Sequence, residues 1–222
     1  MTNAHQTSDL IEEIRLYTKQ HPELAKAHHF IYDLPFNPAL DGADCFVMGV
    51  NPGESKADWK SVAHPTEETR DHDFHRVNGR SPGSKKWYSI ASELLPTERF
   101  IFAEMFFWSS HDSKEFRKRY GKFVSGNPHV DFCTRLNREL ISRYNPRMIV
   151  CPGITSLEHA QILYGLQERD IVRNSRSHRL IVDCVDQKGR PWVFTKHWSG
   201  ARLSKSERNQ IVGHLKKVYA HA

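Results

Sequence analysis

Short apolar runs that end in turns containing proline and glycine alternate along this chain with segments of helical periodicity. Residues 45–50 are apolar and run into an Asn-Pro-Gly turn, and residues 148–151 run into Pro-Gly. Short apolar runs bounded by such turns are typical of buried strands. Asn-Pro pairs at 127–128 and 145–146 mark the two ends of a helix. This alternation predicts an α/β fold, a three-layer α/β/α sandwich with a mostly parallel central sheet.

Periodicity and turn residues predict the other elements in the same way. In open α/β sheets the ligand lies at the carboxyl ends of the strands. That rule points to Asn51 and its neighbours, to residues 108–112 and to residues 196–204. The predicted strands are residues 100–108, 180–184 and 192–195, the predicted helices are residues 9–20, 86–95, 155–167 and one after Ser204, and the predicted polar loops are residues 54–85 and 109–126.

Length and composition predict an ordinary globular protein of one domain, residues 1–222. Hydrophobic residues make up 38% of the chain and charged residues 26%. No apolar run approaches the ~20 residues needed to span a bilayer. The start has neither the basic region nor the apolar core of a secretory signal, so we expect a cytoplasmic protein. The four cysteines are far apart, which predicts free thiols, buried at Cys45, Cys151 and Cys184.

The charge is unevenly distributed along the chain. Residues 1–100 carry 11 Lys and Arg against 15 Asp and Glu, whereas residues 101–222 carry 21 against 11. The net charges of the two parts are therefore −4 and +10. A basic excess of this size suggests a polyanionic partner, nucleic acid above all; the alternative is a solvated basic surface without a specific partner.

The first candidate motif is Gly49-Val-Asn-Pro-Gly53, directly after a predicted strand. Glycine lets the backbone approach a ligand and proline fixes the turn, so Asn51 would present its amide at the sheet edge. The alternative is a tight turn without chemistry, since Asn-Pro-Gly is common in turns.

The second candidate motif is His197-Trp-Ser-Gly-Ala-Arg202, after the last predicted strand. The histidine stands before a small, flexible Ser-Gly pair, and two cationic residues, Arg202 and Lys205, follow it. A single histidine among 14 is more often structural or exposed than catalytic. Its place at the end of a strand favours a functional role.

Together these motifs resemble those of the uracil–DNA glycosylase superfamily. Residues 49–53 are similar to its first motif, closest to the branches that read Gly-x-Asn-Pro-Gly, which are the mismatch-specific and the single-strand-selective monofunctional uracil glycosylases. Residues 197–202 resemble its second motif, usually His-Pro-Ser followed by a short wedge loop. Residues 145–153 are similar to the strand and turn before its central helix. The resemblance extends over most of the chain.

The resemblance implies a monomeric DNA repair enzyme that flips a uracil or related damaged base and hydrolyses its N-glycosidic bond without a cofactor or metal. Asn51 would position the water, and His197 would donate a hydrogen bond to a carbonyl oxygen of the base as negative charge develops. The implied base pocket comprises Gly49, Val50, Pro52, Gly53, Phe74, Trp108 and Ser109. The implied DNA-binding residues are Ser55, Ser199, Gly200, Ala201, Arg202, Leu203 and Lys205, with the wedge at 201–203.

The chain departs from the superfamily pattern at two places. Trp198 stands where the second motif usually has proline, and residues 102–110 contain no Asn, with which many members read uracil. The preferred base therefore stays open. So do two other functions, a non-catalytic nucleic-acid binder of the same fold and a nucleoside or nucleotide hydrolase. His72 and His75 with Asp73 have a spacing that matches no closed zinc pattern, so we expect no metal there.

Overall fold

The computed structural model describes residues 5–24, 43–53, 89–198 and 203–222, and its centre is a six-stranded sheet. The order of the strands across the sheet is β2-β1-β3-β6-β5-β4. Strand β1 pairs in parallel with β2 and β3, and β3 pairs in parallel with β6, whereas β5 is antiparallel to both of its neighbours. The strands are β1 (Cys45–Gly49), β2 (Phe100–Glu104), β3 (Met148–Pro152), β4 (Gln167–Arg173), β5 (Arg179–Val185) and β6 (Pro191–Thr195).

Helices flank this sheet in the described parts of the chain. None of the helices in those parts is both long enough and apolar enough to cross a membrane. A short 3₁₀ turn, Ile154–Ser156, leads from β3 into the fifth helix. The helices are α1 (His5–Gln20), α2 (89–94), α3 (Ser113–Tyr120), α4 (Pro128–Tyr144), α5 (Leu157–Tyr164) and α6 (Lys205–His221).

Side chains alternate between the two faces of the sheet and build a separate core on each. On β1, Phe46 and Met48 belong to one core, and Cys45 and Val47 belong to the other. Helices α1, α3, α4 and α5 contribute to the first core, and α2 and α6 contribute to the second. The predicted α/β/α sandwich with a mostly parallel sheet is therefore confirmed.

Strand β2 is shorter than the sequence pattern predicts. The four residues that follow it, Met105, Phe106, Phe107 and Trp108, are each 0% exposed and belong to the same core. A strand sends successive side chains to opposite faces, so four successive residues can enter one core only where the chain bends out of the sheet. The prediction of a strand through residue 108 is therefore wrong.

The sequence pattern also misses two elements. Helix α3 lies within the predicted loop at 109–126, where charged residues surround its two buried side chains, Phe116 and Tyr120. The side chain of Asp112 starts this helix by accepting a hydrogen bond from the amide of Glu115. Among the described strands, β4 pairs with β5 alone, and it is largely exposed, so it lacks the apolar run by which strands are recognised.

Capping residues set the ends of the long helices. Asn127 caps the start of α4 and Asn145, with a φ of 46°, ends it, as predicted. Ser204 and Glu207 form a complete capping box at the start of α6, also as predicted. Helix α5 ends earlier than predicted because Gly165 adopts a left-handed φ of 68°.

All four cysteines are free and buried, which confirms the prediction for Cys45, Cys151 and Cys184. Burial raises the pKa of the Cys133 and Cys151 thiols well above the usual value of 9.0. Buried thiols that stay protonated act as small core side chains and not as nucleophiles.

Candidate active site

The carboxyl ends of three parallel strands bring the two candidate motifs to one edge of the sheet. Asn51 comes two residues after β1, and His197 comes two residues after β6. Strand β3 lies between β1 and β6 and pairs in parallel with both. Because neighbouring strands are ~4.8 Å apart, the ends of β1 and β6 are ~10 Å apart. We call this edge, formed by residues 49–53, 152–153 and 195–198, the candidate edge.

Hydrogen bonds within its own turn and to the chain that follows β2 fix the side chain of Asn51. Its Nδ2 donates to Ser110 Oγ at 2.9 Å and to the carbonyl of Pro52 at 3.1 Å. A longer contact of 3.5 Å joins Nδ2 to the carbonyl of Trp108. All three contacts use the amide nitrogen, and no residue in the described ranges donates to Oδ1. The Oδ1 oxygen therefore keeps its capacity to accept a hydrogen bond.

The backbone of the same turn is tied to the chain that follows β2, as an extension of the sheet. The amide of Met105 donates to the carbonyl of Gly49 at 2.9 Å, and the amide of Ser110 donates to the carbonyl of Pro52 at 3.1 Å. Gly53 and Ser110 form an isolated parallel bridge. The position of the turn thus depends mainly on main-chain contacts.

Glycine at position 49 makes room for a carboxylate from β2. Gly49 and Glu104 are paired in the register of β1 and β2, and a Cβ on Gly49 would lie 2.1 Å from Glu104 Oε2. A contact that short does not occur, so any larger residue would displace the carboxylate. The carboxyl group of Glu104 thus lies beside the start of the Asn51 turn.

The residue that follows His197 is anchored in the core. Trp198 is 2% exposed, and its Nε1 donates to Thr195 Oγ1 at 2.9 Å. His197 is exposed, and a Cβ on Gly153 would lie 3.7 Å from its Cδ2. Partial desolvation lowers the pKa of His197 below 6.5, so the neutral imidazole prevails at neutral pH.

One carboxylate holds both ends of the segment that carries His197. Glu207 Oε2 accepts a hydrogen bond from the amide of Ser204 at 2.9 Å. Its Oε1 accepts hydrogen bonds from Asn174 Nδ2 at 2.9 Å and from Lys196 Nζ at 3.2 Å. The bond from Asn174, followed by that from the Ser204 backbone, lowers the pKa of Glu207 from 4.5 to about 2. An ionised carboxylate therefore binds the chain on both sides of His197, at Lys196 and at Ser204.

The hairpin of β4 and β5 brings positive charge to the candidate edge. Because β5 is antiparallel to β6, the start of β5 lies at this edge, and the amide of Lys196 donates to the carbonyl of Leu180 at 2.9 Å. Arg173, Arg176 and Arg179 lie at this end of the hairpin and are exposed. Part of the basic excess of residues 101–222 is thus concentrated beside His197.

The predicted base-pocket residues that the structure describes fall into two groups. Trp108 and Ser109 are each 0% exposed. The indole Nε1 of Trp108 donates to Thr18 Oγ1 at 3.1 Å, so the structure places this ring in the core rather than in a pocket, and only its carbonyl contacts Asn51. The other group forms the turn at the candidate edge and consists of Gly49, Val50, Pro52 and Gly53.

Two of the predicted DNA-binding residues lie in the described parts of the chain. Leu203 is half-buried and packs against the core beneath α6, so its side chain is held by the protein rather than projecting as a wedge. Lys205 is exposed at the start of α6. The remaining predicted residues lie outside the described residues, namely Ser55, Phe74, Ser199, Gly200, Ala201 and Arg202, as do His72, Asp73 and His75.

A cavity of about 520 Å³ lies at the opposite edge of the sheet. It opens between α4 and the turn before β6, and Arg138, Asp186 and Arg190 are among the residues that line it. Strand β6 starts at this cavity and ends at the candidate edge, so the cavity is separate from both motifs. Arg190 has a structural role there, since its Nε donates to the carbonyl of Pro146 at 2.8 Å.

No protein-family model matches the chain, and no curated protein sequence matches it. Among solved structures, the chain is similar to a domain of unknown function (DUF1537) from Bordetella bronchiseptica, a domain-swapped dimer with bound citrate. The two share 11% sequence identity with a TM-score of 0.32 over 78% of this chain. The chain spans 41% of the length of that structure. A similarity of this size carries no argument about function.

Proposed function

We propose that the protein is a monofunctional DNA glycosylase that hydrolyses the N-glycosidic bond of a flipped uracil or related damaged base. The observation that carries the proposal is the position of Asn51 and His197 at one edge of the sheet, with one strand between the strands that precede them. A spacing of ~10 Å between strand ends leaves room for one nucleobase between the two side chains.

The proposed role of Asn51 is to orient the attacking water. Since Nδ2 is held by Ser110, Oδ1 can accept a hydrogen bond from a water beneath the sugar. Cleavage of the glycosidic bond generates positive charge on the sugar, so an oriented water suffices and a strong base is not required.

The proposed role of His197 is to stabilise the departing base. Its lowered pKa keeps the ring neutral, with one N–H to donate to a carbonyl oxygen of the base as negative charge develops. A preorganised donor of this kind is typically worth ~3–4 kcal/mol of transition-state stabilisation. Lys196 is paired with Glu207, which favours a water mechanism over a Schiff base on the adjacent lysine.

The basic surface beside His197 supports a nucleic-acid substrate. Arg173, Arg176 and Arg179 on the hairpin and Lys205 at the start of α6 can contact phosphates on either side of a flipped nucleotide. The protein would act as a monomer on intracellular DNA.

The test is incubation of the protein with DNA that carries a single uracil, followed by alkali to cleave abasic sites. We expect strand cleavage at the lesion, with hypoxanthine, xanthine and mismatched thymine tested in parallel to find the preferred base. Salt-dependent DNA binding without cleavage of any of these substrates would instead identify a non-catalytic binder. Turnover of free nucleosides with little affinity for DNA would identify a small-molecule hydrolase.

A further inference from the structure

A compact cluster of ligand atoms lies where the end of α1 meets the start of α4. His129 Nε2 is 3.1 Å from Glu23 Oε1, and His21 Nδ1 is 3.3 Å from the same oxygen. The three ligand atoms lie within 4.8 Å of one another. Neither candidate motif contributes to this cluster.

We propose that His21, Glu23 and His129 bind a divalent transition-metal ion, with Zn²⁺ as the probe. Two imidazoles and one carboxylate are a donor set that suits such ions. Tetrahedral Zn²⁺ with bonds of 2.0–2.1 Å requires ligand atoms about 3.3 Å apart, so small side-chain movements suffice for coordination. The side chains of His21 and Glu23 are 32% and 41% exposed, which lets a water complete the tetrahedron.

The surroundings of His129 suit a metal ligand. Its side chain is 10% exposed, and Tyr17 Oη lies 3.1 Å from its Nδ1. When Nε2 coordinates the ion, Nδ1 carries the proton and donates a hydrogen bond to Tyr17 Oη, which fixes the tautomer. Tyr17 is itself held by stacking on Phe132 at a centroid distance of 3.7 Å.

The ion would join two segments that are distant in the sequence. His21 follows α1, and His129 lies in the first turn of α4. Trp108 packs between these elements, with ring contacts to Tyr17 and to His129. This role goes beyond the proposed glycosylase function, because the ion takes no part in the hydrolysis. It instead stabilises the contact between α1, α4 and Trp108, whose carbonyl contacts Asn51.

The experiment is a titration of the chelator-treated full chain with Zn²⁺, measured by equilibrium dialysis and by thermal unfolding. We expect one tight site in the wild type and a rise in Tm on binding. Glu23→Gln keeps the shape and hydrogen-bonding capacity of the side chain but removes the anionic ligand, so we expect at least ~100-fold weaker binding. Tyr17→Phe keeps the stacking but removes the partner of Nδ1, so we expect ~10-fold weaker binding.

The matched control is His221→Ala, an exposed histidine at the end of α6. We expect it to bind Zn²⁺ as tightly as the wild type. Wild-type affinity in Glu23→Gln, or an equal loss in His221→Ala, would show that Zn²⁺ binds elsewhere and would overturn the proposal. A wild type without a tight site would also overturn it. Glu23→Gln changes a partly exposed side chain, and Tyr17→Phe keeps the stacked ring. Circular dichroism at 25 °C can verify that each of these two variants is folded before titration.

Discussion

The two candidate segments lie at one edge of the sheet but are held in different ways. Residues 49–53 are held by main-chain hydrogen bonds, and the contact between the side chains of Asn51 and Ser110 directs the amide. On the other side, the side chain of Glu207 binds both Lys196 and Ser204, and the ring of Trp198 is in the core. Main-chain contacts survive most substitutions, whereas a single mutation removes a side-chain clamp. The Asn51 turn should therefore be robust, and the His197 segment should depend on charge and on pH.

The largest effect is expected from His197→Ala, which removes the donor to the base. Loss of one donor aimed at developing charge lowers excision by ~100-fold or more. The side chain is exposed, so the Tm should stay close to that of the wild type. Single-turnover excision and a thermal melt measure the two quantities. His221→Ala, which changes an exposed histidine at the opposite edge, should keep full activity; wild-type rates in His197→Ala would remove this residue from the mechanism.

Glu207→Gln tests the side-chain clamp, by which we mean the hydrogen bonds of Glu207 to Lys196 and to Ser204. Loss of the negative charge of Glu207 weakens its hydrogen bonds to Lys196 and Ser204, on either side of His197. This change costs about 1–3 kcal/mol of unfolding free energy. Displacement of His197 by even ~1 Å lowers excision by ~10- to 100-fold. The control is Glu93→Gln, which breaks the exposed pair with Arg208 on the same helix and should cost under about 1 kcal/mol. Equal effects of the two variants would mean that Glu207 does not hold the segment.

The same clamp predicts a dependence of stability on pH. The pKa of Glu207 is lowered from 4.5 to about 2, so the ionised group contributes its full stability above pH 4.5. This contribution is lost as the pH falls from 4.5 towards 2. Urea unfolding at several pH values should show a steeper loss for the wild type than for Glu207→Gln. Parallel curves would contradict the assignment.

Ser110→Ala tests the side-chain contact in the first segment. Without the hydroxyl, Nδ2 loses its closest acceptor and Oδ1 is no longer held in one direction, so we expect excision to fall by ~10-fold. The main-chain contacts remain, and the unfolding free energy should fall by about 1 kcal/mol. Ser113→Ala, at an exposed position of α3, is the control. A drop in stability as large as that of Glu207→Gln would reverse the comparison of the two segments.

The smallest effects are expected from the basic surface. Arg176→Gln and Lys205→Gln should each weaken DNA binding a few-fold and reduce the slope of log affinity against log salt by ~0.9. Fluorescence anisotropy at several salt concentrations measures both. Lys216→Gln removes an exposed charge nearer the other end of α6 and should leave the slope unchanged. An identical change in all three variants would mean that the charge acts only through the net charge of the protein.

The sequence predicts the fold and the edge of the sheet better than the contacts at that edge. Apolar runs and capping residues identify β1, β3, β6, α4 and α6, because each of these elements carries its own local signal. Helix α3 and strand β4 carry little such signal, since charged residues dominate both. The capping box of Ser204 and Glu207 is visible in the sequence, but the bonds from Glu207 to Lys196 and Asn174 arise only when separate strands meet.

The same limit applies to individual site residues. Trp108 lies at the end of an aromatic run beside the predicted crevice, and sequence alone cannot distinguish a ring that lines a pocket from one that enters the core. Its hydrogen bond to Thr18 joins residues 90 positions apart, and no local pattern indicates such a pairing. The positive charge of Arg176 is evident in the sequence, whereas its location beside His197 depends on the antiparallel pairing of β5 with β6.

The most direct test of the central claim is a crystal structure of the protein bound to DNA that contains a deoxyuridine analogue resistant to hydrolysis. We expect the uracil to be flipped from the stack and held between the Asn51 turn and His197, with a water on Asn51 Oδ1 beneath the sugar and the imidazole within hydrogen-bond distance of a base carbonyl oxygen. A base that stays stacked in the DNA, or DNA bound to another face of the protein, would contradict this claim.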